Sequence, residues 1–140
     1  MKILLVEDSE GEQLIIQEAF REAQVFCDLR IASDGEEALK LLNNEPPFTK
    51  APRPDLIILD LNLPKINGQE VLSCIRKNTR LEHIPVIVLS NSRTLKDICQ
   101  CYALNANAYV GKPNGFDGFI NLAKMIRMFW IELVCYCSHS

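Results

Sequence analysis

Three continuous apolar runs stand out along the chain, and a polar residue follows each of them. They are Ile3–Val6, Leu56–Leu59 and Val86–Leu89. Apolar runs of this length without alternation are typical of parallel strands that are buried on both faces of a sheet. Two weaker strand-like segments, Cys27–Ala32 and Ala108–Gly111, bring the predicted number of strands to five.

Helical patterns separate these strands. Ser9-Glu10-Gly11-Glu12 has the form of a capping box and predicts the start of a first helix. Asp34 and Thr94 predict the starts of the second and fourth helices, while the third begins near Gly68 and the fifth runs from about Phe116 to Val134. The residues predicted to face the core at helical spacing are Ile16, Ala19, Phe20 and Ala23, then Ala38, Leu41 and Leu42, then Val71, Leu72 and Ile75, and finally Leu95, Ile98, Cys99 and Tyr102.

Strands and helices therefore alternate along the whole chain. Right-handed crossovers place helices on both faces of a parallel sheet, which predicts a three-layer, doubly wound α/β fold. The segment Asn43–Pro54 contains four prolines and is predicted to be a surface loop. We expect one domain over residues 1–140, with no separate output or DNA-binding domain.

Composition and charge narrow the possible functions. The 140 residues carry a net charge of −3, which argues against non-specific nucleic-acid binding because that needs a basic face. Only four apolar residues lie between Lys2 and Glu7, so no secretory signal is predicted. The apolar stretch Met125–Tyr136 is shorter than the roughly 20 residues of a membrane-spanning helix, and charged residues interrupt it. A cytoplasmic location away from the membrane is expected.

The six cysteines are Cys27, Cys74, Cys99, Cys101, Cys135 and Cys137. We expect reduced thiols, since nothing else in the chain is typical of a secreted protein. The two Cys-x-Cys pairs, with His139 nearby, leave a zinc site open, but their spacing does not match the usual Cys-x-x-Cys arrangement.

Four of the predicted strands end in polar groups of different kinds. The pair Glu7-Asp8 follows the first strand, Asp60 the third, Ser90 ends the fourth, and Lys112 follows the fifth. The carboxyl ends of parallel strands meet at one edge of a sheet, where such folds carry their sites. Carboxylates are ligands that Mg²⁺ prefers, and a lysine ammonium pairs with phosphoryl oxygens. The combination predicts an aspartate that accepts a phosphoryl group with the help of a divalent metal.

These residues resemble the receiver domains of two-component response regulators over the whole chain. Asp60 lies in Asp-Leu-Asn-Leu-Pro-Lys-x-x-Gly, Ser90 follows it by 30 residues, and Lys112-Pro113 follows Ser90 by 22 residues, with Tyr109 three positions before the lysine. The resemblance implies a flavodoxin-like sheet with strand order 2-1-3-4-5. In such a fold Asp60 is the phosphoryl acceptor, with a sensor histidine kinase as the donor.

The resemblance also implies roles for the other residues. Glu7, Asp8, Asp60 and the Asn62 backbone carbonyl would hold Mg²⁺. Ser90 and Tyr109 would form the switch that responds to phosphorylation, and Lys112 would pair with the phosphoryl group. The Lys112–Pro113 peptide bond is a candidate for the cis form. The acid pair here is Glu-Asp rather than Asp-Asp, and Asn91 stands where a smaller residue is usual.

The helix 4 region and Phe129-Trp130 make the chain most similar to the single-domain regulators that are paired with cyanobacterial phytochromes. A phytochrome kinase is therefore the expected partner. We also expect a homodimer through Tyr109, Phe129, Trp130 and Leu133, because consecutive apolar residues spread around a helix and not all of them can face the sheet.

Two other function classes remain open at this point. One is a receiver-like binding module that no longer takes phosphate, although the site residues are intact. The other is an enzyme with an aspartyl-phosphate intermediate, such as a phosphatase of the haloacid dehalogenase type. That family places its nucleophile after the first strand with a second aspartate two residues on, whereas Asp60 follows the third strand and the corresponding residue is Asn62. A flavodoxin is disfavoured because Glu7-Asp8 would repel a phosphate group.

Overall fold

The structure, a computed structural model, describes residues 1–137. Five parallel strands form one sheet in the order β2-β1-β3-β4-β5. The strands are β1 (Lys2–Val6), β2 (Asp28–Ala32), β3 (Leu56–Leu59), β4 (Val86–Ser90) and β5 (Ala108–Gly111). The fold class and the strand order predicted from the sequence are both confirmed.

Five α-helices connect the strands and continue the chain beyond them. They are α1 (Glu10–Glu22), α2 (Gly35–Leu42), α3 (Gly68–Lys77), α4 (Leu95–Ala103) and α5 (Phe116–Met125). The side chains of Ser9, Asp34, Asn67 and Thr94 each accept a backbone N–H in the first turn of the helix that follows, so these residues begin the first four helices. The proline-rich segment at Asn43–Pro54 contains no helix and no strand, as expected.

The sheet separates two hydrophobic cores. On one face α1 and α5 cover Ile3, Leu5, Ile58 and Ile87. On the other face α2, α3 and α4 cover Leu4, Val6, Ile57, Leu59 and Val88. The two faces of β1, β3 and β4 are therefore both buried, which explains why their apolar runs are continuous.

The predicted buried face of α4 is wrong. Leu95 and Tyr102 are 75% and 48% exposed, and Cys99 is exposed as well, whereas Cys101 is fully buried. Cys101 packs into the core together with Leu104 and Ala106, which follow the helix. The helix therefore turns its larger apolar side chains outward and uses a small one for the contact with the sheet.

The last predicted helix also changes character before its end. The α-helix stops at Met125, and a π-helix, here called η1, runs from Ile126 to Leu133. Its hydrogen bonds join residues five apart rather than four, so the angle between successive side chains differs from that of an α-helix. Ile126 is buried and Trp130 is half-buried against the core beside α1 and α5, but Phe129 and Leu133 are exposed.

Two glycines near helix starts differ in the room around them. A Cβ atom on Gly68 would lie 2.3 Å from the Asp60 carbonyl oxygen and 2.6 Å from the Leu61 Cα. A Cβ atom on Gly11 would meet only the Ser9 hydroxyl, at 3.8 Å. The close approach of α3 to the end of β3 thus requires glycine at position 68.

Substitution of these glycines should have opposite effects. We expect Gly68→Ala to lower the free energy of unfolding by about 1–3 kcal/mol, because the backbone around Asp60 must move. Gly11→Ala should raise it by about 0.5–1 kcal/mol through the better helix propensity of alanine. Urea denaturation of the wild type and both variants measures this. Equal stabilities of the two variants would contradict the packing argument.

Candidate functional site

The polar residues at the carboxyl edge of the sheet extend the strand pairing by one residue. The Asp60 N–H donates to the Val6 carbonyl at 3.0 Å, and the Lys112 N–H donates to the Ser90 carbonyl at 2.8 Å. The Glu7 N–H donates to the Ala32 carbonyl at 3.0 Å. Because these backbones are held by their neighbouring strands, their side chains start from fixed positions at the edge of the sheet.

Three acidic residues meet at this edge. One carboxylate oxygen from each of Glu7, Asp8 and Asp60 lies within 4.8 Å of the other two. Glu7 and Asp60 are buried and Asp8 is exposed, so the cluster opens to solvent on the Asp8 side. Hard carboxylate oxygens at this separation suit a divalent cation. Among residues 1–137, this is the one cluster of three or more Asp, Glu, His or Cys side chains whose ligand atoms lie close enough to share a metal ion.

The ammonium group of Lys112 lies within this acidic cluster. Its Nζ atom is 3.1 Å from Glu7 Oε2 and 3.4 Å from Asp60 Oδ2. A third carboxylate, that of Glu12, lies closest, with Oε2 at 2.5 Å. The Lys112 side chain is only 4% exposed, so its charge is desolvated and depends on these partners. Although burial lowers the pKa of Lys112, the carboxylates of Glu12, Asp60 and Glu7 raise it overall.

The pKa values of two carboxyl groups at the site, Glu7 and Glu12, are shifted in opposite directions. Burial raises the pKa of Glu7 to about 8, and the negative charge of Asp60 adds to the effect. Burial also disfavours ionised Glu12, but its hydrogen bond from Lys112 prevails and the pKa of Glu12 falls below its usual value. Glu12 is therefore the negative partner of Lys112, while Glu7 carries the proton in the absence of a cation.

The switch candidates lie in one hydrogen-bonded chain beside the site. Ser90 is fully buried, and its Oγ accepts the Ser92 N–H at 3.1 Å. The half-buried Tyr109 donates its hydroxyl to the Ser92 carbonyl at 2.7 Å. Both residues thus hold the loop between β4 and α4 through Ser92, a residue that the sequence analysis did not single out.

Arg93 in the same loop reaches the strand that carries Lys112. Its guanidinium donates to the Lys112 carbonyl at 3.0 Å and lies so close to Gly111 that a Cβ atom there would be 2.3 Å from the Arg93 Nη1. The β4–α4 loop is therefore tied to the backbone of the lysine as well as to Tyr109.

One prediction about this region is wrong. The cis peptide bond among the described residues is Pro46–Pro47, and Lys112–Pro113 is trans. Lys112 follows β5 with its N–H paired to Ser90, and from there the extended lysine side chain reaches all three carboxylates with a trans bond.

The remaining predicted residues lie in different places. Asn62 is exposed, and its N–H donates to Asp60 Oδ1 at 3.4 Å, while the role of its carbonyl group stays a prediction. No disulfide bond joins any of the six cysteines, which all lie within the described residues. His139, which entered the zinc alternative, lies outside the described residues.

Glu12 is the site residue that the sequence analysis missed. Its position in Ser9-Glu10-Gly11-Glu12 explained it as part of a helix cap, and only the Ser9 half of that cap is present. No local sequence signal could have linked Glu12 to Lys112, because the two residues are 100 positions apart.

Comparison with known proteins identifies relatives over nearly the whole chain. A family model described as response regulator receiver domain matches residues 3–124. The response regulator Rcp1 of Synechocystis sp. is 39% identical over 132 residues, which cover 94% of this chain and 90% of that protein.

Solved structures agree with this result. The crystal structure of the phosphorylated cyanobacterial phytochrome response regulator RcpA superposes with a TM-score of 0.92 at 40% identity, covering 98% of both chains. The Mn²⁺-bound form of Rcp1 superposes with a TM-score of 0.90 at 37% identity, covering 98% of this chain and 99% of that one.

The raised pKa of Glu7 predicts a pH dependence of the metal-free protein. In the folded state Glu7 keeps its proton up to about pH 8, whereas in the unfolded chain it loses it near pH 4.5. The folded state therefore binds more protons in this window, and the free energy of unfolding should fall as the pH rises through it. Denaturation in EDTA at several pH values measures this.

Glu7→Gln should flatten that pH dependence, because glutamine does not titrate. Glu10→Gln, which changes an exposed acid in the first turn of α1, is the control and should leave it unchanged. Parallel curves for the wild type and Glu7→Gln would contradict the assignment.

Proposed function

The chain belongs to the response regulator receiver domain family, and on that premise we propose that Asp60 accepts the phosphoryl group from a sensor histidine kinase. The observation that carries the proposal is the surroundings of the Asp60 carboxylate. It lies 3.4 Å from the Lys112 ammonium on one side and beside the Glu7 and Asp8 carboxylates on the other. Phosphoryl transfer needs positioned positive charge more than covalent chemistry, and this site brings a lysine and a cation-binding cluster to one aspartate.

Mg²⁺ is the cation that we assign to the cluster. Glu7, Asp8 and Asp60 provide three carboxylates, and the Asn62 backbone carbonyl would add a neutral oxygen. When bound, the cation neutralises charge on the phosphoryl oxygens. A divalent cation also fits the charge of the site, because three acidic side chains contact the one ammonium group and Asp8 adds a fourth acid beside Glu7 and Asp60.

The residues of the chain itself perform the other steps. The β1 and β3 backbones hold Glu7 and Asp60 side by side, which orients the Asp60 carboxylate for attack on the phosphorus atom of the donor. Lys112 stabilises the negative charge that builds up on the transferred group. Ser90 supplies a hydroxyl at the neighbouring strand end.

Phosphorylation of Asp60 would change the conformation of the protein through Ser90 and Tyr109. Ser90 Oγ accepts the Ser92 N–H in the structure, and a turn of the Ser90 side chain that lets its hydroxyl donate to a phosphoryl oxygen would break that contact and let Ser92 move. Ser92 also accepts the Tyr109 hydroxyl, so the aromatic ring would lose its anchor at the same time. Such a shift needs only contacts that the phosphoryl group makes in one of two states.

We further propose that the kinase is a phytochrome. Support comes from RcpA, which is described as a cyanobacterial phytochrome response regulator and is 40% identical over nearly the whole chain. A bacteriophytochrome response regulator also superposes, with a TM-score of 0.78 at 36% identity. A cytoplasmic location is consistent with this role. Within residues 1–137 no helix has the length and apolar character to cross a membrane.

A homodimer is the proposed form in which the protein signals. Exposed apolar side chains lie on α4, which precedes β5 and its Tyr109, and on η1, which follows α5; they are Leu95, Tyr102, Phe129 and Leu133. Apolar groups that are 48% to 75% exposed gain stability when a second copy covers them. Trp130 also belongs to the proposed interface, but it packs against the core and is not a clean test residue.

Phosphotransfer to an Asp60→Asn variant tests the acceptor. We expect base-labile labelling from a phosphohistidine donor to fall to background, because asparagine cannot attack phosphorus. Asp117→Asn, an exposed aspartate in the first turn of α5, should label like the wild type. Full labelling of a folded Asp60→Asn variant would overturn the proposal.

Sedimentation of a Phe129→Glu variant tests the dimer. The wild type with Mg²⁺ and beryllofluoride should sediment as a dimer, and Phe129→Glu should be a folded monomer because it places charge in the interface. Phe26→Glu removes an apolar side chain that is 84% exposed on the α1–β2 loop and should remain dimeric. A wild type that is monomeric at high concentration, with and without beryllofluoride, would exclude the dimer.

A further inference from the structure

The Lys112 ammonium group has all of its donors engaged. An ammonium group carries three N–H donors, and the structure gives it three acceptors, Glu12 at 2.5 Å, Glu7 at 3.1 Å and Asp60 at 3.4 Å. A phosphoryl oxygen can therefore become a partner of Lys112 only if one of these carboxylates gives up its contact. The question is which of the three leaves.

Of the three acceptors, Glu12 can give up its contact with Lys112 at the lowest cost in free energy. The Glu7 side chain is 2% exposed and could not reach water if it lost the ammonium group, while Asp60, which is 6% exposed, carries the phosphoryl group itself and stays beside Lys112. The Glu12 side chain is 27% exposed and starts from a helix, so it can turn toward water.

Glu12 also has a second partner within reach of its own helix end. In a complete capping box the glutamate accepts the backbone N–H of the capping serine. Here the Ser9 side chain accepts the Glu12 N–H at 3.3 Å, but the Ser9 N–H donates to Glu7 Oε1 at 3.2 Å instead of to Glu12. The box is half-formed, because Glu7 accepts the Ser9 N–H and the Glu12 carboxylate is paired with Lys112.

We propose that Glu12 is a positioning residue for Lys112. In the unphosphorylated protein it holds the ammonium group, and when Lys112 pairs with the phosphoryl group, Glu12 turns back to the Ser9 N–H and completes the cap of α1. This inference rests on the proposed function, since it requires a phosphoryl group on Asp60. It adds a competing acid to the site and links the start of α1 to the chemical state of Asp60.

The exchange of partners lowers the affinity of the site for a phosphoryl group. Lys112 is available only in the fraction of molecules in which Glu12 has released it, and the apparent affinity falls by that fraction. The negative charge of Glu12 also stays close to the negatively charged phosphoryl oxygens. Removal of this charge should therefore strengthen binding at Asp60.

Three variants separate the two roles of Glu12. Glu12→Gln removes the charge that holds Lys112 but keeps a side chain that can complete a capping box. Glu12→Ala removes both. Glu10→Gln removes an equal charge from the same first helical turn and is the matched control, since no hydrogen bond or ion pair connects Glu10 to Lys112 among residues 1–137.

Beryllofluoride, which imitates a phosphoryl group on a carboxylate, is the probe. It is titrated into ¹⁵N-labelled full-length protein with Mg²⁺ present, and binding is followed by backbone amide signals. We expect Glu12→Gln to bind about threefold or more tightly than the wild type, and Glu10→Gln to stay within about twofold of it. Equal affinities of the wild type, Glu12→Gln and Glu10→Gln would overturn the proposal.

The amide of Ser9 reports on the exchange itself. On addition of beryllofluoride to the wild type and to Glu12→Gln, the Ser9 amide proton should shift to a new position and remain protected from solvent exchange. In Glu12→Ala the Glu7 carboxylate is the remaining side-chain acceptor for the Ser9 N–H, so with Mg²⁺ on Glu7 the Ser9 amide should be less protected than in the wild type. A Ser9 amide that behaves alike in the wild type and Glu12→Ala would also overturn the proposal, because a purely structural Glu12 would not respond to the state of Asp60.

Lys112→Ala distinguishes this inference from the proposed function. If Lys112→Ala weakens beryllofluoride binding and Glu12→Gln changes nothing, the role of Glu12 is wrong and that of Lys112 stands. If Lys112→Ala leaves binding unchanged, the proposed pairing of Lys112 with the phosphoryl group fails, and the inference fails with it.

Discussion

The buried ammonium group of Lys112 is the charge on which the site depends. It lies among the carboxylates of Glu7, Glu12 and Asp60, and two of these are themselves almost completely buried. Carboxylates this close repel one another, and burial, together with the nearby charge of Asp60, raises the pKa of Glu7. The remaining negative charge makes the cluster receptive to a divalent cation and leaves Lys112 ready to meet a negatively charged group.

The parallel sheet makes this concentration of charge possible. Asp60, Glu7 and Lys112 each follow a strand directly and use their own N–H group to extend the pairing with the neighbouring strand. The apolar residues on both sides of the sheet hold the strands, so the stability of the two cores supports the unfavourable contacts at the edge. Ser92 and Arg93 in the β4–α4 loop and Tyr109 in β5 are hydrogen-bonded to one another or to the site residues, and they connect the site to α4 and β5.

The predictions from sequence were wrong where the local pattern allowed more than one packing or backbone geometry. The apolar residues of α4 fit a helical stripe, but Cys101 and not Leu95 meets the core, because a small side chain suits the distance between helix and sheet. The helix predicted from about Phe116 to Val134 is an α-helix only as far as Met125, and beyond it the winding changes to a π-helix. Lys112–Pro113 is trans, and with this geometry the lysine reaches the acids from the end of β5.

By itself the sequence determined the fold class, the five strands, the starts of the helices at Ser9, Asp34 and Thr94, and the residues that meet at the sheet edge. Hydrophobic period and capping are local, and the geometry of a parallel sheet brings strand ends together whatever the loops do. Only the tertiary structure decided that Glu12 leaves its helix cap for Lys112, that Tyr109 and Ser90 share Ser92, and that α4 presents Leu95 to solvent. Most of these features depend on residues that are far apart in the chain. Which partner a side chain binds depends on the other groups near it in the folded protein, and a local sequence pattern does not show these groups.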